Sequence, residues 1–157
     1  ELKVPVKNIN SLVLGGHGDT MVPVPDYTTV NGKLLKKLIS KEKLDKIIDR
    51  TRKGGGEINK LLEKGSAFYA PATSGVEIAE SYIKNLKKTL PCAAYLNGEY
   101  GIKNLYVGVP VIIGEQGVEK VIELPLSKDE KKNFDLSASA VKKLFELATK
   151  IDNSLNN

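Results

Sequence analysis

Between Cys92 and Leu124 the sequence reads as three strands joined by short turns, and this stretch limits the fold more than any other. Cys92 to Leu96 and Leu105 to Ile113 are separated by Asn97-Gly98-Glu99-Tyr100-Gly101. Gly114 to Gly117 then leads into Val118 to Leu124. Turns this short leave no room for the crossover that parallel neighbours need, so the three strands form an antiparallel meander. Pro110 inside the second strand predicts an edge or a bulge. In the third, Val118, Ile122 and Leu124 fall on one side and Glu119 and Glu123 on the other. Ser127 caps a long C-terminal helix with Asp129 and Glu130 in its first turn. Phe134, Ala138, Val141, Phe145, Ala148 and Ile151 keep helical spacing along it, and Asp152 to Asn157 should fray.

The first half reads as short extended pieces and then helices. Residues 1 to 8 look like a helix end and a turn, stopped by Pro5. Asn10 to Leu14 is a short strand, Thr20 to Val24 is extended around Pro23 and Pro25, and Asp26 to Asn31 is a loop. Leu34, Leu35, Leu38 and Ile39 have the spacing of one helix face. Ser40 caps a second helix that turns Leu44, Ile47 and Ile48 inward. Gly54-Gly55-Gly56 predicts a break or kink before a short helix, Glu57 to Lys64, with Gly65 at its C′ position. A helix from about Ala72 to Lys88 follows, with Val76, Ala79, Tyr82, Ile83 and Leu86 facing in. Helices, then a meander, then a helix make an α+β domain, not an alternating βαβ one.

A length of 157 residues suits a single domain, and 41% apolar residues suffice for a core. No apolar run approaches a membrane span, and Glu1-Leu2-Lys3-Val4 has no signal-peptide layout. These first residues also read as the tail of an element begun earlier, so a fragment is expected. One cysteine, Cys92, excludes an internal disulfide and fits a reducing compartment. The net charge of +5 raises nucleic acid as a partner. Yet all but Arg50 and Arg52 of the 24 basic residues are lysines scattered over every predicted helix, and no aromatic residues alternate with a basic patch. They read as a solvated surface, with no nucleic-acid or membrane partner.

The residues that carry chemistry lie from Leu12 to Pro25. An apolar strand breaks at Gly15-Gly16 and presents the only histidine, His17, followed by Gly18 and Asp19. Without Cβ atoms, Gly15, Gly16 and Gly18 let another group approach the backbone. An imidazole at such a loop mouth suits proton transfer near neutral pH. The same residue serves equally as a surface polar group or turn-former. His17-x-Asp19 supplies only two metal ligands, and with no second histidine no metal site is expected. Ser66 to Gly75 gathers small residues around Phe68 and Tyr69, which leaves room for a ligand or for close helix packing. Gly54-Gly55-Gly56 is not a phosphate loop, because no strand precedes it and no Gly-Lys-Ser/Thr follows.

Gly15-Gly16-His17-Gly18-Asp19-Thr20-Met21-Val22-Pro23 resembles the catalytic loop of the lactate/malate dehydrogenase family. In the same order as in that family stand Arg50-Thr51-Arg52-Lys53-Gly54-Gly55-Gly56-Glu57-Ile58, Gly65 to Ala72, Gly98-Glu99-Tyr100-Gly101-Ile102, and Val107-Gly108-Val109-Pro110 with Gly114. The resemblance covers nearly the whole chain, as the family's C-terminal substrate-binding domain, and is greatest to the bacterial, lactate-dehydrogenase-like malate dehydrogenases. It implies an NAD-dependent, cytoplasmic oxidoreductase that interconverts malate and oxaloacetate, with lactate dehydrogenase as the alternative. It implies His17 as proton acceptor and donor, Ala67 in the substrate pocket, and Pro71 beside the nicotinamide. The family's dinucleotide-binding domain is not in these 157 residues, and no G-x-G-x-x-G opens a helix. The aspartate that orients the histidine and the arginine that grips the substrate carboxylate belong, by the same resemblance, upstream. Arg50 and Arg52 match a different segment. The implied partners are the chain's own N-terminal domain and further copies in a homodimer or homotetramer. Alone, the 157 residues are expected to be a catalytically silent folding or oligomerisation module.

Overall fold

A computed structural model describes residues 2–156, and the side chain of Asn156 is not described. Glu1 and Asn157, which fall within the expected terminal elements, lie outside the described residues. The fold is α+β, with three α-helices and antiparallel sheets. The largest sheet has the order β6-β7-β8, with β6 at Lys88–Asn97, β7 at Lys103–Gly114 and β8 at Gly117–Val121. Its register runs from Lys88 opposite Ile113 to Asn97 opposite Lys103, with an irregularity at Leu96/Asn97.

Alternation along β7 decides which face is core. Leu105, Val107, Val109, Val111 and Ile113 are all buried and join Ala94 and Leu96 of β6 in the hydrophobic core. The opposite face carries Tyr95 and Tyr106, directly paired, with ring centroids 5.3 Å apart. The C-terminal helix α3, Lys128–Ile151, begins at the expected Ser127 with a complete capping box. It lays Phe134 and Ala138 on the core face, and the Phe134 ring packs at a tilt against Tyr100, with centroids 5.0 Å apart. Tyr100 sits at φ 55° between β6 and β7, an unfavourable backbone for an aromatic residue. Three hydrogen bonds hold it there. Its N–H donates to Glu123 Oε2, its hydroxyl donates to the Ile122 carbonyl, and that hydroxyl accepts from Leu124 N–H. Burial, more than any other influence, pushes its phenol pKa up, so the hydroxyl keeps its proton.

Pro110 lies on the central strand, not at an edge. It faces Pro91 of β6, and its carbonyl accepts from Ile122 N–H at 2.8 Å. The missing N–H therefore points toward the end of β8, where the Ile122 carbonyl takes the Tyr100 hydroxyl instead. The one ladder bond that Pro110 cannot donate is replaced by that hydroxyl, so the Ile122 carbonyl stays satisfied. The bulge expected from Pro110 falls two residues on, as a register shift at Ile112/Ile113 against β8.

The first half differs from expectation in four places. A short sheet of β1 (Ile9–Asn10), β4 (Thr29–Val30) and β5 (Lys33–Leu34) occupies part of the expected loop and helix. Leu35–Lys37 is a single 3₁₀ turn, so the apolar spacing of residues 34–39 marks half-buried packing without an α-helix. Gly54-Gly55-Gly56 does not break the chain, because α1 runs unbroken from Lys41 to Leu62. An Arg50–Glu57 pair, with Nε–Oε2 at 3.0 Å and a second guanidinium bond at 2.7 Å, spans the glycines along the helix. The guanidinium holds the Glu57 carboxyl below its ordinary range. Helix α2 is Tyr69–Ile83, starting and ending earlier than the spacing implied. Its buried residue is Ser81, whose hydroxyl donates to the Ile113 carbonyl and accepts from Lys88 N–H. Val76, Tyr82, Ile83 and Leu86 are exposed, the reverse of the expected inward stripe.

Nothing lies within 4 Å of a Cβ built on Gly55. Gly55→Ala should therefore stabilise the domain by about 0.5–1 kcal/mol, the helix-interior difference between the two residues. A urea midpoint no higher than that of the parent would mean the helix is not continuous there.

Candidate active site

The His17 loop begins where β2, Val13–Leu14, reaches the large sheet. β2 pairs with β3, Val22–Pro23, and Gly15 then forms an antiparallel bridge with Gly108 of β7. Gly15 N–H donates to the Gly108 carbonyl at 2.8 Å, and Gly108 N–H donates back at 2.9 Å. β8 covers the C-terminal half of the same β7 edge, so Gly15 takes the part that β8 leaves free. Only glycine permits this approach. A Cβ on Gly108 would lie 2.5 Å from the Gly15 carbonyl oxygen, and one on Gly15, at φ +88°, would lie 2.3 Å from Ser137 Oγ.

Helix α3 holds the other side of the loop. Gly16 N–H donates to Ser137 Oγ at 2.8 Å, and the Ser137 hydroxyl donates to Thr20 Oγ1 at 3.2 Å. Met21 N–H closes a turn on the Gly18 carbonyl, and Arg52 Nε of α1 donates to the Met21 carbonyl at 3.1 Å. The backbone on either side of His17 is thus fixed by β7, α1 and α3. The His17 side chain itself is exposed, and no described residue hydrogen-bonds to its ring. Asp19 is exposed as well and makes no ion pair with a described residue.

Ala67 is half-buried in the link between α1 and α2, with its N–H donated to Asn59 Oδ1 at 2.9 Å. Pro71 is exposed, third in α2. Neither is hydrogen-bonded to the His17 loop. A recess of about 810 Å³ lies under α1, lined by Ile9, Leu12, Ile47 and Ile48 among others; His17 does not line it. It reflects the light packing of α1, which has no fully buried residue. Among the described residues no group of three His, Cys, Asp or Glu could hold a metal ion, and no helix is long and apolar enough to cross a membrane. Every sheet is antiparallel, so these residues form no parallel-strand crevice for a dinucleotide.

Ser137, Gly108 and Arg52 are the residues of this site that local patterns miss. Gly108 and Arg52 stand inside stretches that resemble the family, and Ser137 is a hydroxyl on the helix face defined by Phe134, Ala138 and Val141, but no local pattern links any of them to the His17 loop. Together the elements make an α+β domain that presents a solvent-open imidazole on a rigidly held backbone, a geometry suited to proton transfer with a group supplied from outside it.

Comparison with known proteins matches residues 1–151 to the lactate/malate dehydrogenase α/β C-terminal domain. The chain belongs to that family. It is 60% identical over 161 residues to malate dehydrogenase of Pelagibacter ubique, covering 99% of this chain and 50% of the relative. The malate dehydrogenase structure from Salinibacter ruber superposes with TM-score 0.92 at 44% identity, over 98% of this chain and 50% of that one. The structure of lactate dehydrogenase from Eimeria maxima with NADH and oxamate gives 0.90 at 41%, over 97% and 49%. The chain spans about half the length of these relatives.

Gly108→Ala tests the docking of the loop. The new methyl meets backbone that cannot swing aside, so the variant should lose about 1–3 kcal/mol in chemical denaturation. Parent-like stability would mean that the Gly15–Gly108 pair is not a fixed contact.

Proposed function

We propose that this chain is the C-terminal, proton-transferring domain of an NAD-dependent malate dehydrogenase. The observation that carries the reading is the solvent-open His17 ring on a backbone held from three sides. The 60% identity to a malate dehydrogenase favours malate over lactate.

In malate oxidation the His17 ring nitrogen accepts the proton of the substrate hydroxyl. In the reverse direction the imidazolium returns it to the ketone oxygen of oxaloacetate. The nicotinamide cofactor supplies the hydride acceptor when bound. With no parallel-strand crevice and no G-x-G-x-x-G here, its nucleotide is assigned to the other half of the relatives' length. Ala67 is proposed to line the substrate pocket and Pro71 to pack beside the nicotinamide.

Two groups complete the site from outside these residues. A carboxylate partner fixes the tautomer of a catalytic imidazole, and His17 has no such partner among the described residues. A bidentate arginine anchors a substrate carboxylate, whereas Arg50 is engaged with Glu57 and Arg52 with Met21. The 157 residues alone are therefore silent in this reading.

A second reading, assembly, rests on a different observation. Tyr69, Val76 and Ile83 are seven residues apart on α2, and each is at least 70% exposed. An apolar stripe of this kind marks a contact surface. It supports a homodimer or homotetramer in which this domain supplies part of the interface.

In the full-length enzyme, His17→Asn should cut kcat by about 10²–10⁴-fold, the usual range for a general acid–base group, while the Kd for NADH changes little. Turnover near that of the parent would remove His17 from the chemistry, and faster turnover of pyruvate than of oxaloacetate would favour lactate. Val76→Glu with Ile83→Glu should lower the sedimentation coefficient of the assembled enzyme. An unchanged coefficient would place the interface elsewhere.

A further inference from the structure

We infer that Ser137 is a positioning residue for the proton-transfer step: its buried hydroxyl ties the two ends of the His17 loop together and sets where the imidazole stands. The inference rests on the reading of His17 given above. Ser137 is 0% exposed and lies more than a hundred residues from the loop in sequence, so its hydroxyl is a long-range tie. A serine hydroxyl has one proton and two lone pairs. Here the oxygen accepts from Gly16 N–H at 2.8 Å and the proton goes to Thr20 Oγ1 at 3.2 Å. Serines within helices often spend that proton on the carbonyl four residues back. Ser137 spends it on the loop.

The contact also fixes the depth at which the loop sits. A Cβ on Gly15 would lie 2.3 Å from Ser137 Oγ and one on Gly16 would lie 2.7 Å from Val141 Cγ2, so α3 rests directly on bare backbone. The helix cannot slide there on its own, because Phe134, one turn before Ser137, is completely buried against the core. Gly16 and Thr20 are therefore both referred to the position of α3, and only His17, Gly18 and Asp19 lie between them. A displacement of the ring by about an ångström can cost 10²-fold in rate with no loss of binding. Ser137 touches no reacting atom. Its effect passes through the loop backbone.

The test uses the full-length enzyme with Ser137→Ala, which removes both bonds, and Ser137→Cys, which keeps the bulk but accepts poorly. Both should lower kcat by about 10–100-fold while leaving the Kd for NADH within about twofold. Both should also speed hydrogen exchange at the Gly16 amide by about tenfold, the scale of one lost hydrogen bond. Thr20→Val, at an exposed position, removes one arm alone and should give a smaller fall in kcat; it serves if Ser137→Ala does not fold. Parent-like kcat and Gly16 exchange in Ser137→Ala, or parent-like kcat in Thr20→Val where that variant stands in for it, would overturn the positioning role while His17→Asn is inactive. Parent-like behaviour of Ser137→Cys would also overturn it, because packing would then suffice. An active His17→Asn would instead overturn the reading of His17 itself, whatever the exchange at Gly16.

Discussion

The structure depends on two glycine backbones meeting without side chains. Gly15 and Gly108 exchange both hydrogen bonds at the one part of the β7 edge that β8 leaves open. Through that contact a short β2–β3 hairpin, which could not stand alone, is grafted onto the largest sheet. Everything that bears on His17 follows from it. The loop emerges from the sheet at a fixed point, α3 closes over it through Ser137, and α1 reaches it through Arg52. The histidine is open to solvent while the chain on both sides of it is not free to wander. Such a combination suits a group that must meet an external reactant in one orientation.

The large sheet was legible because its three strand-like runs are separated by short turns. The C-terminal helix was legible because Ser127 and Glu130 cap it by local chemistry. The failures share a cause: local pattern does not say what an element packs against. Gly54-Gly55-Gly56 has poor helix propensity, yet helix continues on both sides and the Arg50–Glu57 pair spans the gap, so context overrides preference. On α2, helical periodicity located an apolar stripe correctly but assigned it to the core of this chain, whereas it faces outward. Pro110 sits in a central strand because a tyrosine hydroxyl from the β6–β7 turn takes the carbonyl that its missing N–H would have met.

At the candidate site the singular histidine and its glycines stood out in sequence, and so did the family they resemble. The contacts that hold the loop did not. Gly108 looks like an ordinary weak point in a strand until Gly15 is placed against it. Ser137 looks like a neutral helix residue until the helix is seen to cover the loop. Arg52 was one of two arginines in a lysine-rich chain, and nothing nearby in sequence says that it reaches the Met21 carbonyl. Contacts between residues far apart in sequence carry the geometry of the site, and a single sequence records them poorly.

The facing pair Pro91 and Pro110 has an effect beyond the ladder. β6 is an edge strand, and Pro91 sits within it with no N–H to offer outward. A strand from another molecule that tried to extend the sheet there would find a gap in its row of donors. A rigid ring at that position therefore discourages runaway edge-to-edge stacking, and protects solubility in a domain whose β7 strand is otherwise long, regular and rich in valine and isoleucine.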